Sequence, residues 1–328
     1  MTERGHTVGV AESSRKIPLQ DLTQAARAPS TRRAYASFWR SFEHWCASEA
    51  VASLPATPET IGRYLAAQAG RLQVGTLEGH LSAILVRHRQ AGFLHLDRHH
   101  PAIAEILAGL GRLVGRASRP KEPITARELK GIIRAIPQTV SWRRDKAILL
   151  LGYAGAFRRS ELAGLQMRDL CWTSEGVVVR LPRSKEDQTG RGAVKAIPFA
   201  TDPACCPVRA LQEVILHMGL DDGPVFRRID RHGNISPQGL SGAAIGEVVK
   251  RAVWHWARAT GASRAEADRQ AAEVGGHSLR SGLISWAVAN GMSDWSIMAV
   301  SLHKSRRSLA PYVRRTGLFA GSAAGIGL

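Results

Sequence analysis

Cysteine, acidic side chains and long apolar runs are all scarce in this chain of 328 residues. The four cysteines are Cys46, Cys171, Cys205 and Cys206, and no two of them form a C-x-x-C pair. Adjacent Cys205 and Cys206 cannot close an ordinary unstrained bridge. All four are therefore expected to be reduced thiols, with no disulfide framework and no zinc site. His99-His100 is a weak metal cue that polar surface explains better. No apolar run reaches the roughly 18 residues a membrane-spanning helix needs. The first stretch, residues 1–16, is polar and lacks an apolar signal core, so the expectation is a disordered tail on a cytoplasmic protein. There is no fixed-period repeat and no low-complexity tract.

The shortage of acids has the widest consequence. Against 45 Lys and Arg stand only 27 Asp and Glu, a net charge of +18. An excess of this size, spread along the chain, points to a polyanionic partner rather than to a small neutral substrate. Apolar residues make up an ordinary 44%, and the length leaves room for two domains.

Helical periodicity begins at Ser30. Tyr35, Phe38, Trp39, Phe42 and Trp45 recur at three and four, a spacing that places them in a core rather than on a base-stacking surface. Arg32, Arg33 and Arg40 fall on the other face and are candidates for a DNA backbone. Thr57-Pro58-Glu59 starts a second helix, with a Thr cap, Pro in the first turn and an acid at the positive end. A third helix is expected over 76–90, closing with Arg87, His88 and Arg89, and a fourth over 101–114. Arg87 and Arg89 join the backbone-contact candidates. Together these helices make a small all-α domain over 17–114. Residues 115–123 carry two prolines and the cations Arg116, Arg119 and Lys121 without an apolar pattern. That is a linker, either tracking a phosphate backbone or simply solvated.

The second domain, 124–328, opens on a capping box, Thr125-x-x-Glu128. A helix over 142–154 follows, then another that starts near Arg158 and ends near Leu170. Arg158 and Glu161 are three apart, so the carboxylate can hold the guanidinium, as pairs on many helices do. GVVVRL at 176–181 and AVKAIPF at 193–199 read as a β-hairpin with Arg183 and Lys185 in its turn region. Helices are expected over 207–218 and 240–260, with a short Val225-Phe226 segment between them and an Ala-rich charged stretch over 263–274. Then come His277-Ser278-Leu279-Arg280, a helical segment over 295–302, His303 and, nine positions later, Tyr312. Two cations, a second donor and a phenol suit the positioning of a phosphate for attack by the phenol oxygen. The fold class is mainly α with a small β-hairpin or sheet (α+β).

In order, Arg158, Lys185, His277, Arg280, His303 and Tyr312 spell R…K…HxxR…H…Y. Carried by Phe157-Arg158-Arg159-Ser160-Glu161-Leu162, Arg183-Ser184-Lys185, His277-Ser278-Leu279-Arg280 and His303-Lys304-Ser305 with Tyr312, the pattern resembles the tyrosine recombinase (phage integrase) family. The resemblance is strong over 124–316; residues 18–113 match only in kind, as a helical (SAM-like) core-binding domain. Leu302 stands where the family most often has Gly, and Ser281 where a second His or Arg is common. The stretch 261–276 is longer and more charged than the family's usual approach to HxxR.

The resemblance implies a site-specific recombinase with no metal and no cofactor. Tyr312 would attack a DNA phosphodiester, giving a 3′-phosphotyrosine and a free 5′-hydroxyl. Arg158 and Arg280 would hold the non-bridging oxygens. Lys185 would protonate the leaving oxygen and His277 would act as general acid or base. His303 would bind the phosphate, Glu161 would support Arg158, and Arg159 and Arg183 would add DNA contacts. The implied partner is nucleoid double-stranded DNA with an inverted-repeat core site, clamped between the two domains. Four copies would act on two sites through a Holliday junction, with room for accessory proteins, in integration, excision or transposition of a mobile element. A type IB topoisomerase-like nicking-closing enzyme and a non-catalytic DNA-binding regulator are the two competing classes.

Overall fold

Pro29 sets the first turn of α1 (Pro29–Ser48), where a missing N–H costs nothing. The computed structural model describes residues 26–113, 115, 120–182 and 192–312. The hydroxyl of Thr57 accepts from the Thr60 N–H and starts α2 (Pro58–Gln68), with Pro58 and Glu59 in its first turn. Next come α3 (Val74–Gln90) and α4 (Pro101–Leu113). Phe42, Ile61, Tyr64, Leu77, Leu81 and Ile103 meet in a buried core. The aromatic stripe of α1 is divided. Phe42 is in that core, Trp39 and Trp45 pack against it, and Phe38 stacks on His80 with ring centres 4.2 Å apart. Tyr35 faces a surface groove instead. The chain divides into two compact units, Met1–Arg119 and Pro120–Leu328.

The second unit begins with an extended segment and the capping box. Glu128 accepts from the Thr125 N–H at 2.7 Å, and the Thr125 hydroxyl accepts from the Glu128 N–H at 3.2 Å. This fixes the start of α5 (Ala126–Ala135). Central to the unit is α6 (Trp142–Ala154), whose Ala147, Ile148, Leu149, Leu150 and Leu151 are all buried. A helix apolar all round must be enclosed. α8 (Pro207–Met218) and α11 (Ser278–Ala289) pack against it. Between α6 and α8 lie α7 (Arg159–Gly164) and a three-stranded antiparallel sheet ordered β1 (Leu170–Trp172), β2 (Gly176–Leu181), β3 (Ala193–Pro198).

α7 ends at Gly164, six residues before the expected Leu170. Leu165 leaves the helix because its carbonyl takes the Val225 N–H (3.0 Å), and Met167 donates to the Gly223 carbonyl (2.9 Å). The chain then enters β1, a strand too short to show a period. Val225 and Phe226 are buried and lead into a second hairpin, β4 (Arg227–Ile229) with β5 (Ile235–Gly239). Its arginines hid it from an apolar pattern.

α9 (Gly242–Ala259) follows, capped by Ser241. The charged stretch that had no assigned role is a helix, α10 (Arg264–Glu273), started by a Ser263–Glu266 capping box. It packs on α9, where the Trp254 indole donates to Asp268 at 2.9 Å. Its end meets the entry to the unit: the Lys121 ammonium donates to the Ala272 carbonyl, and the Glu122 N–H to the Glu273 carbonyl at 2.9 Å. α12 (Asp294–Ser301) follows, and a 3-10 turn over Arg306–Ser308 leads toward Tyr312. All four cysteines are unbridged. Among the described residues no helix is long and apolar enough to cross a membrane.

The entry segment crosses α11 at Gly282. A Cβ there would lie 1.8 Å from the Ile124 carbonyl oxygen, so only glycine lets the two backbones touch. Gly282→Ala should lower the stability of the unit by about 1–3 kcal/mol, the range for overpacked sites. Urea denaturation checks this; an unchanged midpoint would mean that the crossing is not tight.

Candidate active site

The ends of α6, α11 and α12 meet. α6 closes through Gly155 and then Ala156, which is left-handed at φ +46°. The Phe157 N–H reaches back to the Gly152 carbonyl at 3.0 Å, a helix-ending wrap that usually calls for glycine. The chain then extends at Arg158 and enters α7. Both oxygens of Glu161 serve Arg158: one accepts from its backbone N–H at 3.0 Å, the other from Nη1 at 2.8 Å. The pair is largely buried, with 13% of the arginine side chain and 3% of the glutamate exposed. A charged pair in such surroundings keeps its geometry, because either partner alone would carry an uncompensated buried charge.

His277 is the residue before α11, and Arg280 lies in its first turn. They have different surroundings. His277 is exposed, with Nε2 3.0 Å from the Tyr312 hydroxyl. Arg280 is wholly buried; its Nη1 donates to the Ala156 carbonyl at 2.7 Å and its Nη2 lies 2.9 Å from His303 Nε2. The ring centres of His303 and Tyr312 are 6.0 Å apart. Tyr312 itself packs on a small cluster of Ile284, Ala287, Ile297 and Leu309.

These contacts determine the tautomer of His303. Arginine has no acceptor and does not lose its proton, so Nε2 must accept. Nδ1 then carries the hydrogen and donates to the Ser301 hydroxyl, 2.9 Å away. The imidazole is thus neutral. Burial pushes its pKa down to about 3, helped by the positive charges of Arg280, Arg158, His277 and Lys195. Leu302, just before it, is left-handed at φ +57°. That is a conformation that favours glycine.

Lys195, absent from the sequence-based site, sits beneath this group. β3 alternates, and Lys195 faces inward with Ile197. Its ammonium donates to the Gly155 carbonyl at 2.6 Å and the Val300 carbonyl at 2.5 Å. Burial pushes its pKa down to about 7; Glu161 opposes that shift, and Arg280 and Arg158 add to it. A lysine on the apolar face of a strand was the available signal.

Lys185, Arg183, Arg116 and Arg119 lie outside the described residues. Arg159 and Lys121 line a cleft of 650 Å³ that runs along Arg158, Ser160, Gly276 and His277. In the first unit Arg32, Arg40 and Arg87 line a separate groove of 440 Å³ with Tyr35 and Trp39. The Arg87 guanidinium lies 5.8 Å from the Trp39 ring centre. Arg33 and Arg89 are exposed.

No family model matches the chain. It is 33% identical over 305 residues to an integrase/recombinase XerD homolog of Selenomonas ruminantium, covering 92% of this chain and 86% of that protein. The chain belongs to the tyrosine recombinase family of site-specific DNA recombinases. Solved recombinases share its fold. The Tn1549 transposon integrase bound to transposon right-end DNA aligns with a TM-score of 0.59 at 14% identity, over 89% of this chain and 92% of that one. XerH bound to a difH substrate gives 0.57 at 14% identity over 83% and 72%. A lambda integrase tetramer on a Holliday junction gives 0.54 at 17% identity over 91% and 73%.

The recombinase's His303 should stay neutral across the working range. Its ring ¹⁵N and ¹³C shifts should show no titration between pH 5 and 8 and should move only as pH approaches about 3. A midpoint near 6.5 would contradict the Arg280 contact. The stability consequence has a definite sign. Below the unfolded pKa of about 6.5 the unfolded chain gains a proton that the folded chain refuses, so this group's contribution is lost as pH falls toward 3.

Proposed function

We propose that this recombinase cuts and rejoins DNA through a covalent link between Tyr312 and a 3′-phosphate. The observation that carries the reading is the 3.0 Å approach of His277 Nε2 to the Tyr312 hydroxyl, next to the pair formed by Arg280 and His303. In the first step the Tyr312 oxygen bonds to phosphorus and its proton passes to His277 Nε2. The bond to the 5′-oxygen breaks, and that oxygen takes a proton from Lys185. The second step reverses these moves with a new 5′-hydroxyl as attacker. The ester stores the bond, so no nucleotide is consumed.

Arg158 and Arg280 are the proposed clamp for the non-bridging oxygens. Their charges are fixed before substrate arrives, which is what makes such groups effective in a transition state. Arg158 is partly exposed toward the cleft and would meet the phosphate first. Arg280 is sealed, so the phosphate must displace what covers it. On contact, a phosphate oxygen would take over the Arg280 Nη2 hydrogen now directed at His303 Nε2. Freed of that donor, the neutral His303 ring can carry its one hydrogen on Nε2 instead of Nδ1, with the Ser301 hydroxyl now donating to Nδ1, and so donate to the phosphate. Glu161 holds the Arg158 guanidinium in position throughout.

The substrate is duplex DNA with an inverted-repeat core site, and the working form is four copies on two such sites, exchanging strands through a Holliday junction. Lambda integrase is seen as a tetramer bound to a Holliday junction, and the Tn1549 integrase bound to transposon right-end DNA. Both support integration, excision or transposition of a mobile element as the natural role. The net charge of +18, the basic cleft and the arginine-lined groove of the first unit fit a long polyanion.

A nicked suicide substrate tests the chemistry. Wild type should accumulate protein-linked DNA, and Tyr312→Phe should bind with equal affinity and form none. Arg158→Ala should cut about 10²–10³-fold more slowly, the cost of one transition-state donor. An adduct that survives Tyr312→Phe would move the nucleophile elsewhere, and near-native cutting by Arg158→Ala would remove that side chain from the clamp.

A further inference from the structure

Lys195 is the only buried lysine among the described residues, and the chemistry above does not use it. An ammonium group off solvent is costly unless its N–H groups are matched. Here two carbonyls match it, and both lie at helix ends where backbone acceptors are unpaired and the dipole is negative. Gly155 caps the C-terminus of α6, and Val300 is the penultimate residue of α12. The group also lies 5.0 Å from the centre of the Phe157 ring.

The two carbonyls hold equivalent places. Gly155 is three residues before Arg158, and Val300 is three before His303. The residue after each one makes the next contact of the site: the Ala156 carbonyl takes Nη1 of Arg280, and the Ser301 hydroxyl takes Nδ1–H of His303. Both turns also pass through a left-handed residue that is not glycine, Ala156 at φ +46° and Leu302 at φ +57°. Each such residue costs about 1–2 kcal/mol, so neither turn holds its shape by local preference alone.

We infer that Lys195 is a positioning residue for strand cleavage: reaching from β3, it ties the turn before Arg158 to the turn before His303 and so sets the spacing of the groups that hold the phosphate. This rests on the phosphate-clamp reading above. Lys195 does not touch the DNA. Its N–H groups point at backbone, and its work is done through Arg158, Arg280 and His303.

The test compares Lys195→Met with wild type and Tyr312→Phe on the nicked substrate, measuring DNA affinity, thermal midpoint and the single-turnover rate of adduct formation. Lys195→Met keeps the length and loses both donors. It should bind DNA within about twofold of wild type and cut at least tenfold more slowly at saturating DNA. Wild-type cutting by bound, folded Lys195→Met overturns the inference while Tyr312→Phe, inert in the same assay, leaves the site reading standing. A loss explained wholly by weaker binding or a smaller folded fraction also overturns it, because it marks a purely structural lysine. Should Lys195→Met fail to fold, Lys195→Gln, with two N–H donors at shorter reach, should fold, bind and cut slowly; wild-type cutting, or failure of this variant to fold as well, overturns the inference. If Tyr312→Phe forms the adduct, the site reading falls and takes the inference with it.

Discussion

A fully buried guanidinium dictates the arrangement of this site. Arg280 cannot shed its charge, so its donors must find acceptors or the fold would bear a large desolvation cost. One donor takes the Ala156 carbonyl at the end of α6, and another takes Nε2 of His303. The first contact makes α6 end where it does. The second forces the His303 hydrogen onto Nδ1, and from there onto Ser301 at the end of α12. Gly282, two residues along α11, allows the entry strand to lie against the same helix. The position of the cation, the tautomer of the histidine and the ends of two helices are thus consequences of one constraint.

Much of this was legible in the chain itself. The order R…K…HxxR…H…Y carried the family, which the XerD homolog of Selenomonas ruminantium establishes independently. Local chemistry placed the capped helices well: Thr57 and Thr125 cap α2 and α5 through their own hydroxyls, and α8 begins and ends as its Pro207 and Gly219 require. Local reasoning failed where long-range bonds decide. α7 stops at Gly164 because Leu165 and Met167 bond to a loop some 60 residues away (Val225 and Gly223). β4 and β5 hold each other by pairing and show no apolar period. The stripe on α1 has the spacing of a core, yet Tyr35 faces the groove that Arg32, Arg40 and Arg87 line, because no periodicity marks where a helix face emerges from under its neighbours.

Lys195 is the instructive omission. A lysine beside a hairpin turn is usually solvated, and Lys185 drew attention for its place in the motif. The alternation of β3 puts Lys195 on the face of Ile197, and a charged residue at an inward position needs a partner. Those partners are backbone carbonyls 40 and 105 positions away, which no pattern of side chains reveals. The same is true of α10: its composition is that of solvated surface, and buried Ala267, the Trp254–Asp268 bond and the contacts with the entry segment give it a place.

The central claim is that the phenol oxygen of Tyr312 bonds to DNA. Its most direct test is to trap the protein–DNA adduct on a nicked site, digest both partners and find by mass spectrometry which peptide carries the nucleotide and by which end. The account predicts a tryptic peptide spanning residues 308–314, joined through Tyr312 to a 3′-phosphate. A link through another residue, or to a 5′-phosphate, would contradict it.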